Sequence, residues 1–189
     1  MSYLSLDDFE ALYERQGDPW KYETSAYERD KYAATLRACG PGPFHRALEL
    51  GGSIGIFTAL LADRCRWLIS IDGARSAVER ARERLFDRAG VEVVLGRIPE
   101  AIPDGGHDLI VASEILYYLD GDALSATLTR LRDVADPGAR LVAVHWRPRG
   151  DERPFTASEV HRLLHMQPWL APTHSAVTPE YLLDVFTRR

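Results

Sequence analysis

The sequence predicts an α/β fold with a seven-stranded, mostly parallel sheet, a C-terminal antiparallel hairpin and helices on both faces. Short apolar runs typical of buried strands alternate with amphipathic segments between residues 46 and 146. Such alternation is typical of a parallel sheet whose strands are connected by helices. Near the C-terminal end, two strand-like runs are separated only by Pro179 and Glu180, a link too short for a crossover helix.

The five parallel strands are predicted, in chain order, at RALELG, WLISID, VEVVLG, HDLIVAS and ARLVAVHW. After the first strand, IGIFTALLADRC places Phe57, Leu61 and Cys65 on one helical face. A second helix, RSAVERARERLFDRAG, is expected to end at Gly90, since glycine is the commonest residue just beyond a helix. A third helix, GDALSATLTRLRDVA, is expected to stop at Pro137.

The C-terminal part of the chain departs from this alternation. TASEVHRLLHM predicts one more helix, and PTHSAVT and YLLDVFTR follow as strands. Their short connection predicts an antiparallel hairpin at one edge of the sheet. Five parallel strands and this hairpin give seven strands in a single Rossmann-like domain.

Composition and charge exclude several classes of protein. The formal net charge is −5, so nucleic acid and anionic membranes are not expected as partners. Two cysteines, Cys39 and Cys65, are too few for a disulfide framework or a CxxC-type metal site. The acidic N-terminus lacks a signal-peptide pattern, which favours a cytoplasmic location. A small-molecule substrate and a monomer or homodimer are expected.

The turn after the first strand, ELGGSIG, is typical of nucleotide binding, and three interpretations compete for it. A Walker loop ends in Gly-Lys-Ser or Gly-Lys-Thr, and this turn has no lysine. A dinucleotide fingerprint counted from Gly51 has only that one glycine in place, since its other two positions fall on Ser53 and Ile56. The third pattern is an acidic residue followed by small residues at alternate positions, here Glu49, Gly51, Ser53 and Gly55.

This third pattern resembles motif I of the class I methyltransferases, which use S-adenosyl-L-methionine as their cofactor. Ser53 replaces the usual middle glycine but is small enough to keep the backbone near a ligand. Asp72 ends the second strand and is placed to accept hydrogen bonds from both ribose hydroxyls. NAD would need the same carboxylate, and Asp72 is alternatively a cap of the following helix. The turn and the terminal hairpin favour the methyltransferase interpretation.

The resemblance also implies which residues hold the cofactor. Arg97 occupies the place where many members carry an aspartate that contacts the adenine amine, so this contact is expected from the Ile98 amide and side chain. The expected cofactor-binding residues are Trp20, Tyr22, Glu49, Gly51, Gly52, Ser53, Gly55, Asp72, Gly73, Arg97, Ile98, Ser113 and Glu114.

A narrower resemblance comes from DPWKYETSAYERDKYAATL together with SEILYYL. Over residues 18–146 the chain is similar to the nodulation protein S family. Members of this family are N-methyltransferases that act on a free sugar amine of a deacetylated chito-oligosaccharide. The resemblance therefore implies methyl transfer to an amine or amino sugar, and N- and O-methylation stay open alternatives. The sequence after Trp146 does not carry the resemblance.

Catalytic candidates lie at the carboxyl ends of the fourth and fifth strands, where such sheets bind ligands. Glu114 is a candidate to bind an acceptor ammonium or to take its proton, and alternatively a charge at a helix start. His145 has a side chain that titrates in the useful range, with a purely structural histidine as the alternative. Tyr117 and Tyr118 are candidates to stack on a sugar ring. We expect Glu114, His145 and Tyr117 to be catalytic.

The first 40 residues are expected to form a helical lid on a methyltransferase domain that spans residues 41–189. Aromatic side chains of this segment are candidates for cation–π contact with a sulfonium, or for simple packing on the sheet; they are Trp20, Tyr22, Tyr27 and Tyr32. His161 and His165 have a metal-ligand spacing, but no metal site is expected. A noncatalytic module that binds adenosylmethionine or adenosylhomocysteine and regulates a partner is the alternative function.

Overall fold

The computed structural model describes residues 3–148 and 152–189, which form one sheet flanked by helices. The seven strands are β1 (Phe44–Leu50), β2 (Cys65–Asp72), β3 (Val91–Leu95), β4 (His107–Ser113), β5 (Ala135–Trp146), β6 (Leu170–Val177) and β7 (Tyr181–Arg188). The helices are α1 (Leu6–Gln16), α2 (Ala26–Cys39), α3 (Ile56–Ala62), α4 (Arg75–Arg84), α5 (Gly121–Val134) and α6 (Ala157–His165), with a 3₁₀ turn at Leu116–Tyr118.

The sheet has the strand order β3-β2-β1-β4-β5-β7-β6. Strands β1 to β5 pair with one another in parallel, and β7 runs antiparallel to both β5 and β6. The predicted seven-stranded, mostly parallel sheet with a terminal hairpin is therefore confirmed. The strand order reverses between β1 and β4, which places a crevice at the carboxyl ends of these two strands.

The core lies on both faces of the sheet because the central strands are covered on both sides. Along β5, Leu141 and Ala143 belong to the cluster that packs against α5 and α6. Val142 and Val144 alternate with them and belong to the cluster that packs against α2 and α3. This alternation is why β5 reads as a continuous apolar run rather than as a half-buried strand.

Three predicted element boundaries are wrong, and each has a local cause. Cys65 opens β2, because α3 ends at Ala62. The second predicted helix, α4, ends at Arg84, and Gly90 instead occupies the turn before β3 with a φ of +82°. Strand β5 already begins at Ala135, and its pairing with β4 is irregular around Pro137–Gly138.

The first 40 residues contain two helices that begin at side-chain caps. The Ser5 hydroxyl accepts a hydrogen bond from the Asp8 amide, and the Asp8 carboxylate reaches back to the Ser5 amide, which is a capping box. Ser25 caps α2 through the Glu28 amide. Helix α1 packs against α4, and α2 packs against β5, β7 and α3. No helix in residues 3–148 and 152–189 is long and apolar enough to cross a lipid bilayer.

Candidate active site

A cavity of about 720 Å³ opens at the carboxyl ends of β1, β2 and β4. This volume lies within the range that small-molecule ligands and cofactors occupy in proteins. The turn after β1 and the ends of β2 and β4 form one side of the cavity. Residues of α1, α2 and the segment between them form the other side, so the N-terminal helices cover the crevice.

The turn after β1 presents bare backbone to the cavity. Gly51 has a φ of +75°, and a Cβ atom there would lie 3.0 Å from the side chain of Ile115. A Cβ atom on Gly52 would lie 1.9 Å from the Ser70 hydroxyl, so only glycine fits this position. Ser53 follows with a φ of +50°. The consequence is a turn that a ligand can approach closely along its main chain.

Asp72 connects this turn to the end of β2. Its carboxylate accepts hydrogen bonds from the amides of Ser53 at 2.8 Å and Ala74 at 2.9 Å. Burial raises the pKa of Asp72, against the lowering influence of these amides. Each oxygen still has a second lone pair, so the carboxylate can accept further hydrogen bonds from hydroxyls in the cavity. The interpretation of Asp72 as a cap of the following helix is wrong, because α4 begins after Ala74 and has no side-chain cap.

Two residues of the motif, Glu49 and Gly55, mainly stabilise the conformation and packing of the turn. Glu49 lines the cavity, but its buried carboxylate accepts a 2.6 Å hydrogen bond from the Thr58 hydroxyl of α3. Burial raises the pKa of this carboxyl. Gly55, which we expected to contact the cofactor, does not line the cavity. It begins α3 with a φ of +80°, and a Cβ atom there would lie 3.1 Å from Ala81 of α4.

The remaining expected cofactor residues all line the cavity. Tyr13 of α1 contacts the Ser53 hydroxyl at 2.6 Å, and its ring lies 5.5 Å from that of Trp20. Trp20 in turn stacks on Tyr22 at 5.8 Å, so three aromatic rings form a continuous wall. The other expected residues in the cavity lining are Gly73, Arg97, Ile98, Ser113 and Glu114.

Glu114 lies just beyond β4 and has a backbone conformation that is rare for residues other than glycine, with a φ of +57°. Its carboxylate accepts hydrogen bonds from Lys31 Nζ at 2.8 Å and from the Trp146 amide at 2.9 Å. The Tyr117 hydroxyl donates to the same carboxylate. This strained residue is held by three donors, a pattern that concentrates at functional sites.

Lys31 and Glu28 of α2 complete this group, and neither was predicted from the sequence as a site residue. Lys31 is only 2% exposed, and its ammonium also donates to Glu28 Oε1 at 3.1 Å. Burial raises the pKa of Glu28, while the neighbouring Lys31 ammonium opposes that rise. In the sequence YERDKY these charges resemble a solvated helix face, and the flanking tyrosines are the one signal of burial.

His145 does not line the cavity, contrary to expectation. The ring is fully buried, and its Nε2 accepts a hydrogen bond from the Leu116 amide at 3.2 Å. Nδ1 must then carry the proton and donate to His161 Nε2 at 3.0 Å. His161 Nδ1 donates in turn to Asp184 at 2.7 Å. Burial lowers the pKa of His145 well below its usual value, so this residue is a neutral link in a structural chain.

His165 joins the same chain instead of forming a metal site with His161. Its Nε2 lies 3.0 Å from the Asp184 carboxylate that His161 also contacts. Among the residues that the structure describes, no group of three or more His, Cys, Asp or Glu side chains is arranged to hold a metal ion.

Acidic side chains dominate the cavity lining. Among the residues that the structure describes, six carboxylates and two basic groups line it: Glu28, Glu49, Asp72, Glu114, Asp120 and Glu152, with Lys31 and Arg97. Low-dielectric walls strengthen the field of these charges at the centre of the cavity. The lining therefore favours a ligand that carries positive charge, and the aromatic wall adds cation–π attraction.

The sheet order, the glycine turn after β1 and the carboxylate at the end of β2 define the class I methyltransferase fold. Within this class, the chain belongs to the nodulation protein S family, whose sequence profile matches residues 7–147. Nodulation protein S of Bradyrhizobium diazoefficiens is 34% identical over 144 residues, which cover 74% of this chain and 69% of that protein. The match to the Sinorhizobium fredii protein has 32% identity and covers 66% of this chain.

Solved structures agree with this assignment. The crystal structure of the N-methyltransferase NodS from Bradyrhizobium japonicum WM9, in complex with S-adenosyl-L-homocysteine, has a TM-score of 0.86 and 26% identity, and the match covers 95% of this chain and 97% of that one. A putative methyltransferase from Pseudomonas syringae has a TM-score of 0.77 and 35% identity, over 87% and 100% of the two chains. The present chain spans 59% and 53% of the length of the Sinorhizobium fredii and Rhizobium tropici relatives.

Proposed function

We propose that this protein transfers a methyl group from S-adenosylmethionine to the nitrogen of a small-molecule amine, with an amino sugar as the favoured acceptor. The observation that carries this proposal is that one cavity is lined both by the glycine turn with Asp72 and by the carboxylates of Glu28 and Glu114. One side of the cavity suits an adenosine-containing donor, and the other suits an ammonium group. Membership of the nodulation protein S family supports the same conclusion.

The donor half of the site is assigned to residues that fit adenosylmethionine chemically. When bound, this donor supplies a methyl group that its positively charged sulfur already activates. The Asp72 carboxylate has lone pairs for the ribose hydroxyls, and the backbone of Gly51 and Gly52 is open to the methionine portion. Ile98 and Arg97 line the part of the cavity that we assign to adenine.

Replacing Asp72 with alanine is expected to weaken the binding of adenosylhomocysteine by about 1–3 kcal/mol, because hydrogen bonds to a charged group are lost. Isothermal calorimetry on the full chain measures this change. Asp87→Ala is a suitable control, since Asp87 is exposed and does not line the cavity. Equal affinities for wild type and Asp72→Ala would remove Asp72 from the donor site.

The acceptor half is assigned to Glu114, Tyr117 and their neighbours. Methyl transfer needs an aligned nucleophile and the exclusion of water more than it needs activation of the donor. Glu114 is held by three donors beside the cavity, and the aromatic residues Tyr117, Tyr118 and Trp146 line the cavity with it. An ammonium on a sugar ring matches both the negative charge and the flat apolar surfaces.

The experiment that tests this assignment follows the transfer of labelled methyl from adenosylmethionine to a glucosamine oligosaccharide. The matched acceptor control is the same oligosaccharide with every amine acetylated. We expect label only on the free-amine oligosaccharide. A protein that binds adenosylhomocysteine but transfers label to none of a broad amine panel would instead support the noncatalytic regulatory module.

Residues 1–40 are proposed to act as a lid over the donor. Deletion of residues 1–24 removes α1, Trp20 and Tyr22 from the cavity wall and leaves the sheet and α2 intact. The affinity for adenosylhomocysteine is expected to fall by about tenfold or more, because buried aromatic contacts each contribute of the order of 1 kcal/mol. Calorimetry measures the affinity and circular dichroism checks that the truncated protein is folded. Unchanged affinity in a folded truncation would exclude the lid.

A cytoplasmic location and a monomeric or homodimeric state remain predictions.

A further inference from the structure

Glu28 presents an unusual carboxylate to the cavity. Its side chain belongs to α2 and lines the cavity, yet the residue is only 7% exposed. Both oxygens lie beside the Lys31 ammonium, Oε1 at 3.1 Å and Oε2 at 3.0 Å, but only Oε1 accepts a hydrogen bond, and the buried Oε2 accepts none from any described residue. A buried carboxylate oxygen that accepts no hydrogen bond is costly, and on a residue that lines a cavity it leaves lone pairs for a ligand donor.

Glu114, the other carboxylate of this group, has much less spare capacity. Oε2 accepts from both the Trp146 amide and the Tyr117 hydroxyl, which occupies its two lone pairs. Oε1 accepts from Lys31. The carboxylate of Glu114 is therefore already engaged by an ammonium, an amide and a hydroxyl, and it has little room for a hydrogen bond from a ligand.

We propose that Glu28 is the proton acceptor for the amine substrate, and that Lys31 is a positioning residue that holds the carboxylates of Glu28 and Glu114 together. This assignment rests on the proposed function. An amine enters as an ammonium, whose nitrogen has no lone pair. One N–H bond breaks and an O–H bond forms at Glu28 Oε2, so the positive charge on nitrogen and the negative charge on Glu28 disappear together. The nitrogen lone pair is then available as a nucleophile, and the carboxylic acid later releases its proton to solvent.

The position of Glu28 in the fold indicates that this residue belongs to the acceptor half of the cavity and not to the donor half. Helix α2 packs against β5 and β7, whereas Asp72 ends β2, on the opposite side of β1 from β4 and β5. Glu28 and Glu114 both lie within hydrogen-bond distance of the same Lys31 nitrogen. The buried Tyr27 hydroxyl, which also lacks a hydrogen-bond partner, lines the same cavity.

The charge of this group favours both binding and proton transfer. Two carboxylates and one ammonium leave one uncompensated negative charge, which an incoming ammonium neutralises. Burial raises the pKa of Glu28 and thereby makes it a better base than an exposed glutamate. The titratable and charged groups that act on Glu28 are Lys31 from its own helix, Glu114 from the loop after β4, Asp18 from the segment before α2, and Tyr22, Tyr27 and Tyr32 around it.

The test is the pH profile of kcat for Glu28→Gln and wild type, with a glucosamine oligosaccharide as acceptor. We expect kcat of the variant to fall about 100-fold near neutral pH, the usual scale for the loss of a general base. The deficit is expected to shrink as the pH rises, because solution then supplies the neutral amine. Asp30→Asn is the matched control, since Asp30 is exposed on the same helix and does not line the cavity.

Two further measurements distinguish a role of Glu28 as proton acceptor from a purely structural role. Adenosylhomocysteine affinity of Glu28→Gln is expected to stay within about twofold of wild type by calorimetry. Its melting temperature is expected to be at least that of wild type, since Lys31 and Glu114 remain as a neutral pair. Wild-type turnover in the variant, a deficit that persists at high pH, or a tenfold loss of adenosylhomocysteine affinity would each overturn the assignment. Failure of the wild-type protein to methylate any amine would instead show that the proposed function, and this role with it, is wrong.

Discussion

Replacing Lys31 with methionine is expected to lower the free energy of unfolding by about 3–5 kcal/mol, the typical cost of removing one partner from a buried ion pair. The Lys31 ammonium is buried between Glu28 and Glu114. Methionine matches the length of the lysine stem but leaves two carboxylates with like charge close together. The destabilisation is therefore expected to come from an uncompensated charge and not from a cavity.

Urea unfolding near neutral pH measures this effect. Arg37→Met is a suitable control, because Arg37 is an exposed cation on the same helix. Adding Glu28→Gln and Glu114→Gln to Lys31→Met is expected to restore much of the lost stability, since no charge then remains in this group of three side chains. Equal stability of wild type and Lys31→Met would contradict the buried arrangement of the three side chains.

Replacing Asp184 with asparagine is expected to destabilise the fold by about 2 kcal/mol near neutral pH. Asp184 is 4% exposed and accepts hydrogen bonds from both His161 and His165. Burial raises the pKa of Asp184, but hydrogen bonds from His161, Ser175 and His165 outweigh burial and lower this pKa to about 2. Asparagine keeps the shape of the side chain but removes the charge that stabilises both bonds.

The effect of Asp184 on stability is expected to depend on pH in a definite direction. Its pKa is lowered on folding, so its contribution is complete above about pH 4 and disappears as the pH falls towards 2. The difference between the urea midpoints of wild type and Asp184→Asn should therefore narrow on acidification. The exposed Asp87→Asn serves as the control. A difference that is the same at about pH 7 and about pH 3 would exclude this origin.

The sheet was predictable from the sequence because its signals are local. Buried parallel strands are short apolar runs, and the two-residue link at Pro179 and Glu180 permits only a hairpin. The end of α4 was not predictable from Gly90, because the chain leaves the helix at Leu85 and spends the intervening residues in a turn. For the same reason, residues that directly follow a strand, such as Glu114, were correctly predicted to lie at the carboxyl edge of the sheet.

The site residues that were predicted wrongly or missed are those whose position depends on how distant elements pack against the sheet. His145 and Trp146 are neighbours at the end of β5, and successive strand residues point to opposite faces. Trp146 lines the cavity, whereas His145 contacts His161 of α6. Glu28 and Lys31 lie on a polar helix whose burial depends on its packing against distant strands. No local pattern in YERDKY contains that information.

The central claim, that the turn after β1 holds adenosylmethionine and not a dinucleotide, is tested most directly by calorimetric titration of the wild-type protein. Adenosylhomocysteine and NAD are titrated separately under the same conditions, with melting curves in each ligand. The account predicts that adenosylhomocysteine binds and raises the melting temperature, as a ligand selective for the folded state does, and that NAD has no effect. Binding of NAD without binding of adenosylhomocysteine would contradict it.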